Sequence, residues 1–134
     1  MVHTVDEQIS VPDANGQTPQ RNIFVFGSNR QGRHGAGAAR YAITHHGAQN
    51  GQAEGLQGNS YAIITKELRP THPKVTLTEI KEGIQRFLEF AHTRPDLTFQ
   101  LTPIGCGLAG YTPTEIAPLF TDTPDNVTLP PEFQ

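Results

Sequence analysis

The sequence predicts an α/β fold, in which strands and helices alternate along one domain and the sheet is largely parallel. Two observations support this prediction. Continuous apolar, β-branched and aromatic segments, which are typical of buried strands, are separated along the chain by helix-forming segments. The chain has 134 residues, of which 35% are hydrophobic, and this suffices for one buried core but not for two domains. Strands that alternate with helices favour a parallel sheet covered by those helices.

Four segments are predicted as strands. The first, "NIFVF" at residues 22–26, is uninterrupted in apolar and aromatic side chains and is expected to be buried. The second is "SYAIIT" at 60–65, and the third, "LTFQLTPI" at 97–104, alternates before it becomes apolar. A last short strand is "NVTLP" at 126–130. The polar segment 48–58 is predicted as a surface loop.

Three helices are predicted from their terminal signals. A helical pattern starts at Ala36 and ends at Gly47, a typical C-cap. The strongest pattern follows Thr76 or Thr78, either of which can cap it, and stops before Pro95; its apolar residues recur at helical spacing. The third helix is short and lies within "TPTEIAPLF", because threonine followed by proline is typical of a first helical turn.

Residues 1–21 are polar and lack periodic apolar content. They are predicted to form a flexible N-terminal arm, or at most one edge strand around Ile9–Val11, ahead of a domain over residues 22–134.

Composition excludes several functional classes. A net charge of −3 argues against a general nucleic-acid or membrane surface, so any bound anion must be held locally. The single cysteine excludes an internal disulfide and a structural zinc cluster, which fits a reducing compartment. No apolar run has the length of a membrane span, and the N-terminal residues lack the apolar core of a signal peptide. A cytoplasmic protein is expected, with no membrane partner, metal or cofactor.

Two glycine-rich segments, "GRHGAG" and "GCGLAG", each follow a predicted strand and precede a helix. Ligands of open α/β sheets bind beyond the carboxyl ends of the strands, and glycines let backbone N–H groups close on an anion. Neither segment is followed by the Gly-Lys-Ser/Thr of a phosphate-loop ATPase. For one segment alone, tight packing between strand and helix is an equal alternative. Two glycine-rich segments at equivalent strand ends favour a binding site large enough for a diphosphate.

The segments "FGSN", "GRHGAGAA", "SYAIITK" and "TPIGCGLAGY" together resemble the macrodomain family over residues 22–130. Within it, the chain is similar to a phage and bacterial branch, to the enzymes that remove terminal ADP-ribose from proteins, and to the antitoxin enzymes that remove it from DNA bases. The resemblance implies a three-layer α/β/α fold with a mixed, largely parallel central sheet. It implies as ligand ADP-ribose or a related NAD-derived nucleotide, free or attached to DNA or protein.

The resemblance also implies which residues bind this ligand. The amides of 105–110 hold the diphosphate, Tyr111 packs near the distal ribose, Asn29 contacts that ribose, and the glycines of 35–37 lie beneath it. The full implied set is Gly27, Ser28, Asn29, His34, Gly35, Ala36, Gly37, Gly105, Cys106, Gly107, Leu108, Ala109, Gly110 and Tyr111.

Lys66 matches the lysine that acts on the anomeric carbon of the ribose in those enzymes. A lysine desolvated at a strand end can act as a nucleophile or a base, although a solvated lysine after a strand is the more common case. The protein-directed enzymes carry an aspartate in the second glycine segment where this chain has Ala109. The DNA-directed enzymes manage without it.

The remaining candidates have simpler interpretations. The favoured interpretation of Cys106 is a small side chain that faces inward and packs in the core. His34 either touches the ligand or is an exposed loop residue. His45 and His46 are expected at the C-terminus of the first helix, with no third metal ligand nearby. Four arginines cluster around the first glycine segment and predict either local anion attraction or a solvated loop face: Arg21, Arg30, Arg33 and Arg40.

Three functions remain open at this point. The first is a nucleotide-binding domain that cleaves ADP-ribose from a macromolecule through Lys66. The second is a non-catalytic module that sequesters or senses the nucleotide, which the alanine at position 109 favours. The third is a small phage accessory protein whose glycine segments serve packing alone.

Overall fold

The computed structural model describes residues 21–134, which form one five-stranded sheet and three α-helices. The strands are β1 (Arg21–Asn29), β2 (Gly55–Gln57), β3 (Ser60–Lys66), β4 (Leu97–Leu101) and β5 (Val127–Thr128). The helices are α1 (Gly37–His46), α2 (Leu77–His92) and α3 (Pro113–Ile116), with two 3-10 helices at Ala117–Leu119 and Pro131–Phe133.

The sheet is mixed and mostly parallel, which confirms the α/β prediction at that level. Its strand order is β2-β3-β1-β4-β5, and β1 pairs in parallel with both β3 and β4. β4 and β5 are also parallel, whereas β2 runs antiparallel to β3. β2 was expected to be loop, because three residues with a glycine among them carry no strand periodicity. It forms because the chain reverses at Gly58, whose φ of 60° suits a tight turn.

The predicted strand boundaries needed correction at the end of the sheet that carries the site. β1 continues three residues beyond the prediction, because its pairing with β3 persists as far as Asn29 opposite Lys66. β4 ends at Leu101, before Pro103, since proline cannot donate to a sheet ladder.

The helix predictions are confirmed, with sharper limits. α1 ends at His46, and its C-cap, Gly47, is left-handed with φ 73°. Thr76 rather than Thr78 caps α2, in a capping box with Glu79. α3 begins after Thr112, which forms a second capping box with Glu115.

The helices pack against both faces of the sheet, because side chains alternate along β1. Ile23 and Val25 lie in the larger core, which includes the apolar face of α2. Phe26 lies in a smaller cluster with Ala39 and Ala42 of α1.

The expected arm lies outside the described residues except for Arg21, which is the first residue of β1 rather than the last of the arm. Its guanidinium donates to Asn59 Oδ1 over 2.7 Å, and its backbone pairs with Leu97. Within residues 21–134, the helices are too short or too polar for any of them to cross a bilayer.

Candidate functional site

A cleft of about 700 Å³ opens at the carboxyl ends of β1, β3 and β4. It lies between the loop that joins β1 to α1 (the first loop, residues 30–36) and the loop that joins β4 to α3 (the second loop, residues 102–112). Every residue of the implied set lines it except His34, Gly110 and Tyr111, and Lys66 lines it as well. Parallel pairing of the three strands places these ends at one edge of the sheet.

Two glycines of the cleft are required by the fold itself. A Cβ at Gly27 would lie 3.0 Å from Thr65 Oγ1 and 3.5 Å from the amide nitrogen of Gly105. Gly105 has a left-handed φ of 76°, and a Cβ there would lie 3.0 Å from Ile116 Cδ1. At these positions the packing interpretation of the glycine segments holds.

Gly35 and Gly107 have no such requirement. Both line the cleft, neither has a left-handed φ, and a Cβ on either would have no atom of residues 21–134 within 4 Å. The fold would therefore accept alanine at both, and alanine would restrict the unfolded chain more. Their lack of a side chain leaves bare backbone facing the cleft.

The N-terminus of α1 also faces the cleft, through Gly37, Ala38 and Ala39. Its N-cap is Ala36, so no side chain in the described part of the protein accepts a hydrogen bond from the first amides, and the first turn carries no acidic residue. Backbone N–H groups at a helix N-terminus that lack such partners attract anions.

The first loop is held by residues that are distant in sequence. The Asn29 side chain accepts from Arg33 N at 2.9 Å and donates to Arg33 O at 2.7 Å, which closes the loop on itself. Asn50 Oδ1 accepts from His34 N at 2.8 Å, and Gly51 N donates to Gly32 O at 2.8 Å. Asn29 lines the cleft with its amide already engaged.

His34 does not line the cleft, and it is not the exposed loop residue that one of the two expectations described. It is 2% exposed and packs edge-on against Phe26, with ring centroids 5.1 Å apart. Its Nε2 lies 3.0 Å from Gln52 O and 3.0 Å from Gln57 Oε1. Gln57 Oε1 also accepts from Gln49 N at 2.9 Å, so both neighbours of Nε2 are acceptors and Nε2 carries the proton. His34 thus ties the first loop to β2.

Tyr111 also lies outside the cleft, although it was expected near a ribose. Its hydroxyl donates to Val75 O, and Lys74 Nζ lies 4.1 Å from its ring centroid. Tyr111 therefore fixes the end of the second loop to the segment ahead of α2. Gly110 is outside the cleft too, with φ 85° and an amide that donates to Gly107 O at 3.0 Å.

Lys66 is the last residue of β3 and lines the cleft half-buried. Its backbone oxygen accepts from Arg30 N at 3.0 Å, which holds the strand end against the first loop. Its ammonium group forms no ion pair within the described part of the chain.

The residue after Lys66 anchors that corner of the site. The Glu67 carboxylate is 1% exposed and accepts from Arg30 Nη1 at 3.1 Å, Gln31 Nε2 at 2.6 Å and Arg69 Nε at 3.0 Å. We call these four residues the Glu67 clamp. Hydrogen bonds from Arg69, with others from Arg30 and Gln31, lower the pKa of Glu67 far below its usual range.

The four clustered arginines differ in their surroundings. Arg33 lines the cleft, which agrees with local anion attraction. Arg30 instead pairs with Glu67 and Glu79, and Arg40 is exposed on α1.

Cys106 both packs inward and lines the cleft. It is half-buried against the larger core, and its Sγ lies 3.5 Å from Ile104 O. Burial raises the pKa of the Cys106 thiol, and the negative charges of Glu132 and Glu115 raise it further. The side chain is therefore a thiol at neutral pH, which does not suit a nucleophile.

His45 and His46 occupy the last turn of α1, as predicted. Burial lowers the pKa of His46, as does the neighbouring charge of His45. Residues 21–134 contain no group of three or more histidine, cysteine, aspartate or glutamate side chains that could hold a metal ion.

Sequence reasoning missed two cleft residues that follow from tertiary contacts alone. Leu68 is 37% exposed and lines the cleft because Gln31 Oε1 holds its amide at 3.0 Å. Glu132 lies on the 3-10 helix Pro131–Phe133, far along the chain from both loops. No local pattern marks either residue.

No protein-family model matches the chain, and a comparison with curated proteins finds no match.

Proposed function

We propose that this protein is a macrodomain-like, three-layer α/β/α domain that binds ADP-ribose or a related NAD-derived nucleotide in the cleft. The observation that carries the proposal is the pair Gly35 and Gly107, which face open space without any requirement from the fold. Glycine at such positions lowers stability relative to alanine. The lower stability is explained if a ligand lies directly against the backbone at Gly35 and Gly107.

The chemistry of the walls suits a nucleotide diphosphate. Lys66 and Arg33 supply positive charge, and the uncapped amides at the start of α1 supply donors. Leu68 and Leu108 supply apolar surface for the sugar and base. The volume of about 700 Å³ lies within the range of small-molecule sites, about 300–1,000 Å³.

Titration calorimetry with ADP-ribose, AMP and NAD tests the proposal. We expect ADP-ribose to bind more tightly than AMP, because AMP lacks the second phosphate and the distal ribose. Gly107→Val should weaken binding of ADP-ribose without unfolding the domain, because the valine side chain fills the space beside the backbone. Absence of ADP-ribose binding by the parent protein, or equal binding by Gly107→Val, would contradict the proposal.

A second candidate function is hydrolysis, and the position of Lys66 favours it. A lysine at the strand end, beside the proposed ribose position and without an ion-pair partner among residues 21–134, is available as a nucleophile or base. In the net reaction, water adds to the anomeric carbon, the bond to the macromolecule breaks, and the leaving group takes up a proton.

Lys66→Ala separates the hydrolase from the binding module. In a hydrolase, the variant should lose release of ADP-ribose from modified DNA or protein. It should still bind free ADP-ribose within about tenfold, a change of roughly 1.4 kcal/mol. A parent protein that binds ADP-ribose and turns over neither substrate would be a binding module. Equal turnover by Lys66→Ala would remove the lysine from the mechanism.

A further inference from the structure

The outer side of α1 carries exposed rings and positive charge beside the cleft. Tyr41 is 51% exposed, and its ring centroid lies 4.3 Å from that of His45, one helical turn further along. Both rings rest on a deeper pair, Phe24 of β1 and His46, which stack 4.5 Å apart and only 10° from parallel. Tyr41 also contacts Phe24, at 5.5 Å between centroids. We call these four residues the ring platform.

The ring platform is supported before any partner arrives. Phe24 is fixed in the central strand of the sheet, and His46 is partly buried against it. Contacts with fixed rings restrict the rotamers of Tyr41, so a partner that stacks on it has less side-chain entropy to remove.

The chain segment that includes β1 and α1 carries charge of one sign. Residues 21–53 contain no aspartate or glutamate, although the whole chain has a net charge of −3. Arg40 is adjacent to Tyr41, and Arg33 lies at the cleft; both are exposed, and neither side chain forms an ion pair within residues 21–134. Arg33 and Arg40 therefore offer positive charge to an anionic partner, whereas the clamp and α2 carry charges of both signs.

The platform is continuous with the cleft. Gly37, the first residue of α1, lines the cleft, and Tyr41 follows it by four residues. Four residues of α-helix rise about 6 Å, and four more reach His45 at about 12 Å. A chain molecule with one nucleotide in the cleft would thus bring its neighbouring units over Tyr41 and His45.

We propose that the ring platform and Arg40 bind a single-stranded nucleic acid. Unpaired bases have exposed faces that stack on aromatic side chains, and the phosphates between them are attracted to arginine. The bases of a duplex are stacked on one another and cannot reach the rings. The statement that the bound strand delivers one of its nucleotides to the cleft rests on the proposed function; the binding surface itself does not.

Anisotropy of a short labelled oligothymidylate, titrated with the protein at low salt, tests the surface. The parent protein should bind it, and Tyr41→Leu should weaken binding roughly tenfold, as expected for the loss of one base–aromatic stack. Tyr41→Phe keeps the ring and should stay within about twofold of the parent. Arg40→Gln should weaken binding and reduce the dependence of log K on log salt by about 0.7.

Lys81→Gln is the matched control, because it removes one exposed positive charge from α2, on the other face of the sheet. It should leave binding of the oligonucleotide unchanged. Failure of the parent to bind the oligonucleotide, equal binding by Tyr41→Leu, or equal competition by polyglutamate and by a duplex would overturn the proposal. Titration of the same variants with ADP-ribose tests the proposed function separately. Tyr41→Leu leaves the cleft residues in place, so it should bind ADP-ribose as the parent does even if the proposal for the ring platform fails.

Discussion

The two loops that line the cleft are both rich in glycine, but they are held in different ways. The first loop hydrogen-bonds to Asn50 and Gly51, and through His34 to Gln52 and Gln57. Within residues 21–134, the middle of the second loop bonds only to itself: Tyr111 N donates to Gly105 O at 2.8 Å, and Gly110 N donates to Gly107 O.

The two loops therefore differ in how freely they can move. The first loop is tied to β2 by buried polar groups and offers a preformed surface. The second loop is anchored at its ends, by Thr102 to Val25 O and by Tyr111 to Val75 O, and Leu108 between them is 71% exposed. We expect the second loop to adjust when a ligand enters and the first to remain as it is.

The largest effect should come from His34→Ala, which removes the anchor of the first loop. The substitution leaves a cavity beside Phe26 and takes the donor away from Gln52 O and Gln57 Oε1. We expect a loss of about 2–4 kcal/mol in the free energy of unfolding, measured by urea denaturation.

The corresponding anchor of the second loop is the Tyr111 hydroxyl. Tyr111→Phe removes its hydrogen bond to Val75 O and should cost about 1 kcal/mol. If the two substitutions destabilise the protein equally, the proposed difference in anchoring is wrong.

The next effect separates two glycines of the same loop. Gly105→Ala should destabilise the protein by about 1–2 kcal/mol, because its left-handed φ is unfavourable for alanine. Gly107→Ala should leave stability unchanged or raise it by about 0.4–1 kcal/mol, and should weaken ADP-ribose binding instead. Thermal melts of both variants measure the change in stability, and titration calorimetry measures the change in affinity for ADP-ribose. Parallel changes of stability and affinity in both would show that the glycines serve packing alone.

The difference between Gly105 and Gly107 could not be predicted from the sequence. Both lie in "GCGLAG", and the pattern placed that loop correctly at a strand end of the cleft. The left-handed φ of Gly105 and the position of Ile116 distinguish the glycine that the fold needs from the one that it does not, and the sequence shows neither. Four of the five strands, the three helices and the cleft edge could be predicted, because local periodicity and capping residues determine them.

His34 could not be assigned from sequence, because its partner Gln57 lies on a strand with no periodic signal. Tyr111 was assigned to the cleft by resemblance, whereas its contact with Val75 turns it away. In both cases a tertiary hydrogen bond decided where the side chain lies.

A smaller effect, which depends on pH, is expected from the Glu67 clamp. Because hydrogen bonds lower the folded-state pKa of Glu67 below its ordinary value of 4.5, its contribution to stability is fully present above that value. The contribution is lost as the pH falls through the lower, folded-state pKa. Glu67→Gln should therefore be less stable than the parent at pH 7, and the difference should shrink below about pH 4. Urea midpoints for both proteins between neutral and acidic pH measure it. If the difference in stability between the two proteins does not change with pH, the charge of the Glu67 carboxylate does not account for it.

The smallest effect on stability is expected from Leu108→Ser. The side chain is 71% exposed, so the free energy of unfolding should change by less than about 0.5 kcal/mol. Affinity for ADP-ribose should fall severalfold if the second loop closes over the ligand. Unchanged affinity would show that Leu108 stays in solvent when the ligand binds.

The central position of β1 has a consequence for how the chain is made. β1 precedes every other described strand in sequence, yet its partners are β3 and β4, and Arg21 pairs with Leu97. As the chain leaves the ribosome, this strand has to wait for most of the domain before both of its edges are paired. Exposed strand edges are prone to join other chains, and long-range pairing is slow. Nascent chains halted before β4 should therefore aggregate more readily than the finished protein.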